Sequence, residues 1–145
     1  MFLGEYKHTI DDKGRVIIPS RFRESLGARC IVSKGLDGCL FVFPEEEWNK
    51  LVLQLEKLPL TKKDARAFTR LFLAGAAEVE KDKQGRIALP APLKEYAKLE
   101  KDVMVTGVAN RIEIWNLEQW QQYSEAAEDG FEQLAELMES FEFDL

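Results

Sequence analysis

Two arginines in this chain stand where a guanidinium could read the edge of a nucleotide base. Arg15 and Arg86 each follow a glycine and lie four residues after an aspartate, in the segments Asp11-Asp12-Lys13-Gly14-Arg15 and Asp82-Lys83-Gln84-Gly85-Arg86. An arginine held at the tip of a rigid turn offers two parallel N–H donors, which match O6 and N7 of guanine and supply about 1–3 kcal/mol of base discrimination. The two arginines are therefore candidates for base-reading side chains.

A structural role is the alternative for both arginines. Each could fold back on the aspartate of its own motif, Asp11 or Asp82, and tie the turn, a contact that contributes only about 0–1 kcal/mol when exposed. The two roles are compatible, because an aspartate that orients a guanidinium also stiffens it. The residues alone leave both readings open, with the aspartates as turn-orienting groups.

The glycines of the two motifs lie between extended segments, where a tight turn calls for positive φ. The candidate contact residues are those at the turn tips, namely Lys13, Gly14, Arg15, Gln84, Gly85 and Arg86. Lys13 is a candidate phosphate contact, whereas its counterpart Gln84 is neutral and could still hydrogen-bond a phosphate or a base edge. This difference predicts stronger binding by the first motif.

Three further basic residues, Lys7, Arg21 and Arg23, could extend the basic face as phosphate contacts, although ordinary solvated surface charge explains them at least as well. His8 is the only histidine and has no partner suited to a metal site. No serine lies in a nucleophile elbow, and the motif glycines belong to no phosphate-cradling loop. We therefore predict no catalytic residue, metal, cofactor or small-molecule substrate, and no enzyme.

The motif is part of a longer repeat with an offset of 71 residues. The pair Phe22 and Leu26 is matched by Leu93 and Ala97 at the same offset. Each half reads as strand, tight turn, strand, short helix, two strands and helix. Such internal repetition predicts an α+β fold in which two pseudo-symmetric ββαββ units form one barrel with flanking helices.

The doubled Asp-x-x-x-Arg motif, its Lys-Gly-Arg and Gln-Gly-Arg turns and the opening Met-Phe-Leu-Gly-Glu-Tyr together resemble the MraZ family of the AbrB-like swapped-hairpin proteins. The resemblance covers essentially the whole chain except its tail. It implies a transcriptional regulator, most simply a repressor, that binds double-stranded DNA. It also implies a ring-shaped homo-oligomer on short G-rich direct repeats ahead of the division and cell-wall gene cluster, in the cytoplasm and associated with the nucleoid.

The chain is expected to be a single domain, 1–145, with a first repeat at 5–58, a linking helix at 59–75, a second repeat at 76–129 and an acidic C-terminal helix at 130–145. The predicted strands are 5–10, 16–18, 28–33, 40–43, 77–81, 87–89, 102–108 and 111–116. The predicted helices are 21–26, 45–58, 61–74, 92–97, 117–129 and 131–141. Thr61 is expected to be the N-cap of the third helix, with Asp64 at N3, and Gly27 a left-handed cap of the first.

Two cysteines flank the Gly35–Gly38 turn of the first hairpin. If the hairpin were symmetric about that turn, Cys30 would face Phe43 and Cys39 would face Lys34, so a disulfide is not expected. Their spacing fits no zinc motif, and reduced thiols suit a cytoplasmic protein. No apolar run is long enough to span a bilayer, and the N-terminus does not read as a signal peptide.

Net charge is −6, which by itself argues against a nucleic-acid partner, but the charge is unevenly distributed. Residues 118–145 carry nine carboxylates and no lysine or arginine, which leaves 17 acidic against 20 basic residues in 1–117. The chain therefore has a mildly basic body and an acidic tail.

The tail suggests a second hypothesis, that of an antitoxin-like interaction module. Phe131, Leu134, Met138 and Phe141 share one face of the last predicted helix, opposite its carboxylates. This face could cover the chain's own body, a neighbouring subunit or a basic protein partner.

Overall fold

The computed structural model describes all residues, 1–145. The first repeat contains β1 (Phe2–Thr9), β2 (Arg15–Ile17), α1 (Ser20–Leu26), β3 (Arg29–Lys34), β4 (Leu40–Pro44) and α2 (Glu45–Glu56). Helix α3 (Lys63–Ala74) connects the repeats. The second contains β5 (Ala77–Glu80), β6 (Arg86–Ala88), α4 (Ala91–Tyr96), β7 (Asp102–Ala109), β8 (Arg111–Asn116) and α5 (Leu117–Asp129). Helix α6 (Phe131–Leu137) and one 3-10 turn (Met138–Phe141) follow.

The two repeats exchange strands. Six strands form an antiparallel sheet in the order β1-β7-β8-β4-β3-β5, and β2 pairs with β6 in a separate ribbon. The pairs β1–β7 and β3–β5 are equivalent under the repeat, so the first strand of each half completes the sheet of the other. The expected pseudo-symmetric α+β fold is confirmed. Strands β1 and β5 are the edges of the sheet and do not pair with each other.

One core joins the two halves, because strands of both repeats belong to the same six-stranded sheet. Nineteen buried residues from both repeats form this core. Val16 and Ile87, the central residues of the ribbon, are fully buried in it. The repeated helices α1 and α4 contribute the predicted pairs, Phe22 with Leu26 and Leu93 with Ala97. Burial of these apolar side chains anchors the ribbon to the body of the molecule.

The predicted register of the first hairpin is wrong by one residue. Cys30 pairs with Pro44, and Lys34 pairs with Leu40. The connecting loop has an odd number of residues, with positive φ at both Asp37 and Gly38, and therefore has no symmetric two-residue centre. Both thiols are free and buried, Cys30 in the main core and Cys39 against Met104 and Trp115. Burial raises the pKa of each thiol to about 12.

The helices flanking Pro59 differ from the prediction. Helix α2 ends at Glu56 rather than Leu58, because a proline disfavours helical backbone at the residue that precedes it. Thr61 does not cap α3: the N-cap position is occupied by Lys62, without a side-chain hydrogen bond. The intervening residues form a turn instead, in which the Lys62 N–H donates to the Pro59 carbonyl over 3.1 Å.

The prediction of a left-handed cap at Gly27 is wrong, because Gly27 combines φ of 83° with an extended ψ of −177°, outside the left-handed helical basin. Two other end signals are confirmed. Asn116 caps α5 by accepting the N–H of Gln119 over 3.1 Å. Strands β7 and β8 are joined by the two-residue turn Ala109-Asn110, with positive φ at Ala109.

The C-terminal segment leaves its apolar face uncovered. Phe131 and Phe141 are 68% and 75% exposed, and Leu134, Leu137 and Phe143 are also exposed. Of the places considered for this face, the chain's own body is therefore excluded in this structure. None of the helices combines the length and the hydrophobicity needed to cross a bilayer.

Candidate nucleic-acid interface

The two motif turns lie at opposite ends of the β2–β6 ribbon. Its register pairs Arg15 with Ala88, Val16 with Ile87 and Ile17 with Arg86. Since side chains alternate along a strand and the central pair points into the core, the outward face consists of Arg15, Ile17, Arg86 and Ala88. The two guanidiniums thus lie at diagonally opposite corners of a two-stranded ribbon. An element of this width can enter the major groove of B-DNA.

The first turn is held by one carboxylate. Oδ1 of Asp11 accepts the backbone N–H groups of Lys13 over 3.0 Å and Arg15 over 2.9 Å, and Oδ2 accepts Nε–H of Arg15 over 2.7 Å. Gly14, with φ of 74°, closes the turn by donating its N–H to the Asp11 carbonyl over 3.0 Å. The aspartate thus orders both the backbone of the turn and the guanidinium beyond it.

The second turn repeats this arrangement closely. Oδ1 of Asp82 accepts the backbone N–H groups of Gln84 and Arg86, both over 2.9 Å, and Oδ2 accepts Nε–H of Arg86 over 2.8 Å. Gly85 has φ of 79°. In both turns the backbone N–H of the arginine is the main reason why the pKa of the aspartate lies below its ordinary value. Both carboxylates are therefore ionised at neutral pH.

Each guanidinium is tied along one edge only. In Arg15 the contact with Asp11 uses Nε, and neither Nη1 nor Nη2 has a protein partner. In Arg86 the same edge binds Asp82, and Nη1 lies 3.8 Å from Oδ2 of Asp11. The arginine side chains are 28% and 25% exposed. Folding back on the aspartate and offering donors outward are therefore compatible in this geometry.

The turns are interlocked across the repeats. The carbonyl of Gly14 accepts the N–H of Leu89 over 2.9 Å, and the carbonyl of Gly85 accepts the N–H of Ile18 over 2.8 Å. Each glycine is therefore hydrogen-bonded to the residue that directly follows the ribbon strand of the other repeat. A shift of one turn would break a hydrogen bond in the other repeat.

Two further cationic side chains lie against these glycines. A methyl group at Gly14 would lie 2.9 Å from Nζ of Lys94, and one at Gly85 would lie 2.6 Å from Cζ of Arg23. Lys94 is missing from the sequence-based candidates, and nothing in its local sequence marks it. The repeat offset does mark it, because Lys94 stands 71 residues after Arg23.

The remaining candidates are more loosely placed. Lys13 and Gln84 are exposed at the turn tips, and Lys83 is exposed beside Gln84. Lys7 on β1 and Arg21 on α1 are exposed and form no hydrogen bond or ion pair with a motif residue. Of the three possible phosphate contacts, only Arg23 is brought against a turn.

The histidine and the acidic groups provide no second site. His8 is half-buried on β1, and burial, together with the charge of Arg23, lowers its pKa. No cluster of His, Cys, Asp and Glu side chains is suited to hold a metal ion. The chemistry that the arrangement offers is hydrogen bonding and charge, concentrated on the ribbon.

Duplicated ββαββ units, reciprocal strand exchange and paired Asp–Arg turns define a swapped-hairpin fold built from two intertwined repeats. The sequence model of one family, described as "MraZ protein, putative antitoxin-like", matches residues 1–71 and again residues 72–141. The chain belongs to the MraZ family.

Similar proteins extend over nearly the whole chain. A protein named "Transcriptional regulator MraZ" from Caldanaerobacter subterraneus is 57% identical over 141 residues, which cover 97% of this chain and 99% of the relative. Proteins of the same name from Thermoanaerobacter sp. and Desulforamulus reducens are 60% and 59% identical over 136 residues, 94% of this chain and 95% and 96% of theirs. These relatives bear the name of a regulator and not of an enzyme, in agreement with the prediction.

Proposed function

We propose that this protein is a DNA-binding transcriptional regulator that acts as a repressor and reads short G-rich direct repeats through its β2–β6 ribbon. One observation carries the proposal: two equivalent turns hold an arginine at each diagonal corner of a single ribbon, with the Nη donors unpaired on Arg15. A guanidinium with that edge free is the usual partner of guanine in the major groove. The names of the relatives support a role in transcription.

The resemblance to the MraZ family supports the choice of target. We propose the region ahead of the division and cell-wall gene cluster, and a cytoplasmic, nucleoid-associated protein. Its charge distribution is compatible with this partner, because the body carries an excess of basic residues and the carboxylates are concentrated after residue 117. The DNA-binding ribbon belongs to the basic body.

We further propose that several copies bind together as a ring-like homo-oligomer, one subunit per DNA repeat. A single ribbon offers few contacts, and linking modest sites raises the affinity when their spacing matches the target. Apolar side chains for subunit contacts are exposed on α3 (Phe68, Leu71) and on the C-terminal segment (Phe131, Leu137, Phe141). Isolated apolar side chains are common on surfaces, but a group of them on one helix suggests a face that is covered in an assembly.

Binding of the parent and of Arg15→Ala and Arg86→Ala to the chain's own upstream DNA tests the function. Each substitution is expected to remove about 1–3 kcal/mol of discrimination, roughly 5- to 150-fold, between the G-rich repeat and a scrambled duplex. Lys57→Ala, an exposed lysine after α2 with no side-chain hydrogen bond or ion pair, is the control. Each variant is first checked for the unfolding midpoint and the light-scattering mass of the parent. Variants that keep both properties and still discriminate like the parent would contradict the assignment, and a parent that does not discriminate would contradict the function.

The uncovered C-terminal segment supports a second candidate, an antitoxin-like module that binds a basic protein partner. A pull-down with the full chain and with a chain ending at residue 129 separates the two. Loss of a specific protein partner, with DNA binding intact, would favour the second candidate. Loss of assembly without loss of a protein partner would favour the first.

A further inference from the structure

We propose that Lys94 and Arg23 are phosphate contacts and that each DNA-reading turn is completed by a cation from the opposite repeat. Lys94, from the second repeat, would serve the turn of Arg15, and Arg23, from the first, would serve the turn of Arg86. This inference rests on the proposed DNA-binding function and concerns which residues build the two half-sites.

Lys94 reaches the first turn because of strand exchange. The β2–β6 ribbon brings the start of α4 beside Gly14, whose carbonyl accepts the N–H of Leu89 over 2.9 Å. Nζ of Lys94 lies 2.9 Å from the position that a methyl group on Gly14 would occupy. The ammonium forms no ion pair and donates no hydrogen bond within the protein, although its side chain is half-buried. It is a localised positive charge with all of its donors free.

Arg23 reaches the second turn by the equivalent route and is held more firmly. Its Nε donates to the carbonyl of Ile18 over 2.8 Å, and the N–H of Ile18 donates to the carbonyl of Gly85 over 2.8 Å. Ile18 thus links the guanidinium of Arg23 to Gly85 of the second turn. Its Nη1 and Nη2 groups have no protein partner and no nearby carboxylate within salt-bridge distance.

The position of these cations favours phosphate over a base edge. Neither is on the outward face of the ribbon, which is made of the β2 and β6 side chains. Both come from the short helices that flank it. Sugar-phosphate backbones run along both sides of the major groove, so cations beside a ribbon in the groove meet phosphates, while the ribbon's own side chains meet bases.

The positions of these cations give a second reason for glycine at positions 14 and 85. Positive φ is one reason, and the space taken by the opposite cation is the second. An alanine would push Lys94 or Arg23 away from the turn. The glycines therefore keep room for a contact made across the repeats.

Salt dependence of DNA binding tests the inference. A phosphate contact releases counterions, so the slope of log K against log salt should become shallower by about 0.9 in Lys94→Gln and in Arg23→Gln. Affinity should fall by the same factor for the G-rich and the scrambled duplex, because a phosphate contact carries no sequence information. Lys57→Gln, an exposed lysine after α2, is the control and should keep the parent slope, with every variant checked for the parent's mass.

Lys94→Arg and Arg23→Lys separate a charge contact from a structural role. Both should retain the parent slope, even though Arg23→Lys loses the hydrogen bond to Ile18. If Lys94→Gln and Arg23→Gln keep the parent slope while Arg15→Ala loses discrimination, this inference is overturned and the proposed function stands. If the parent itself shows no salt-dependent DNA binding, the proposed function has failed first.

A duplex with single methylphosphonate substitutions tests the exchange between repeats. Neutral phosphates that weaken the parent but not Lys94→Gln mark the contact of Lys94. They should flank the guanine whose recognition is lost in Arg15→Ala. If they flank the guanine lost in Arg86→Ala instead, each cation serves the turn of its own repeat, and the composite half-site is overturned.

Discussion

The two turns share one backbone but carry different charges. Their hydrogen bonds agree to within 0.1 Å, from the aspartate to the arginine. The first turn, with Lys94, has three cations and two carboxylates, while the second, with Arg23, has three cations and one carboxylate, since Lys83 stands where the first has Asp12. Judged by Lys13 and Gln84 alone, the first should bind more strongly. The charges assembled at each turn favour the second.

A second difference lies between the aspartates. Nη1 of Arg86 is 3.8 Å from Oδ2 of Asp11, so this carboxylate faces both guanidiniums. Asp82 pairs only with Arg86. Asp11 therefore contacts both arginines, whereas Asp82 contacts only the arginine of its own turn. Copies of a motif should therefore be compared after folding has placed their neighbours, because one cation beside each turn comes from the other repeat.

The largest difference is expected between Gly85→Ala and Gly14→Ala. Both force a side chain into positive φ, which costs about 1–3 kcal/mol of unfolding free energy. At Gly14 the new methyl group meets only the flexible end of Lys94, whereas at Gly85 it meets Cδ, Nε and Cζ of Arg23, whose Nε is hydrogen-bonded to Ile18. Urea unfolding should show the greater loss for Gly85→Ala.

The double variant Gly85→Ala/Arg23→Ala is the control for that difference. Removing Arg23 should reduce the cost of Gly85→Ala to about that of Gly14→Ala, because only the backbone strain then remains. Equal losses for the two single variants would mean that Arg23 moves aside as easily as Lys94.

The sequence predicts the parts of this site that are local and repeated. Asp11, Gly14 and Arg15 lie within five residues, and their second copy confirms the spacing, so the turn and its arginine can be recognised without coordinates. The contact of Lys94 with the Gly14 turn cannot be recognised in this way, because it depends on the pairing of β2 with β6 across the repeats. The hairpin register also differs from the prediction, because the loop has an odd number of residues and no symmetric centre. The start of α3 differs because the residues after Pro59 form a turn.

An exchange of charge between the turns should reverse their ranking. Lys83→Asp is expected to make the salt slope shallower by about 0.9 or more and Asp12→Lys to make it steeper by a similar amount. The combined exchange should return the slope to near the parent value. Both residues are exposed, so the unfolding free energy should change by no more than about 0.5 kcal/mol. Anisotropy titrations at several salt concentrations measure the slopes, and an unchanged slope in Lys83→Asp would place that lysine away from DNA.

A smaller effect is expected on specificity from the aspartates. Asn in place of Asp keeps an oxygen for the backbone N–H groups but loses the charge that orients the guanidinium. Because Asp11 faces both arginines, Asp11→Asn should lower the ratio of G-rich to scrambled binding more than Asp82→Asn, and less than Arg15→Ala. Non-specific affinity should rise slightly in both, since a carboxylate is removed. Equal ratios for the two variants would show that the 3.8 Å contact of Arg86 with Asp11 has no role.

The smallest difference between the repeats is a pH dependence of stability, which only the first repeat has because it contains the histidine. His8 is the single histidine, and its counterpart in the second repeat is Val79. Burial, and secondarily the charge of Arg23, lowers the pKa of His8 in the folded protein below 6.5. The unfolded chain therefore binds a proton first as the pH falls, and the free energy of unfolding should decrease below about pH 6.5. Titration of the one histidine ring signal by NMR should give a higher pKa in Arg23→Gln and an unchanged pKa in Lys94→Gln. A shift of equal size in both variants would mean that the charge reaching His8 is not specific to the Arg23 side.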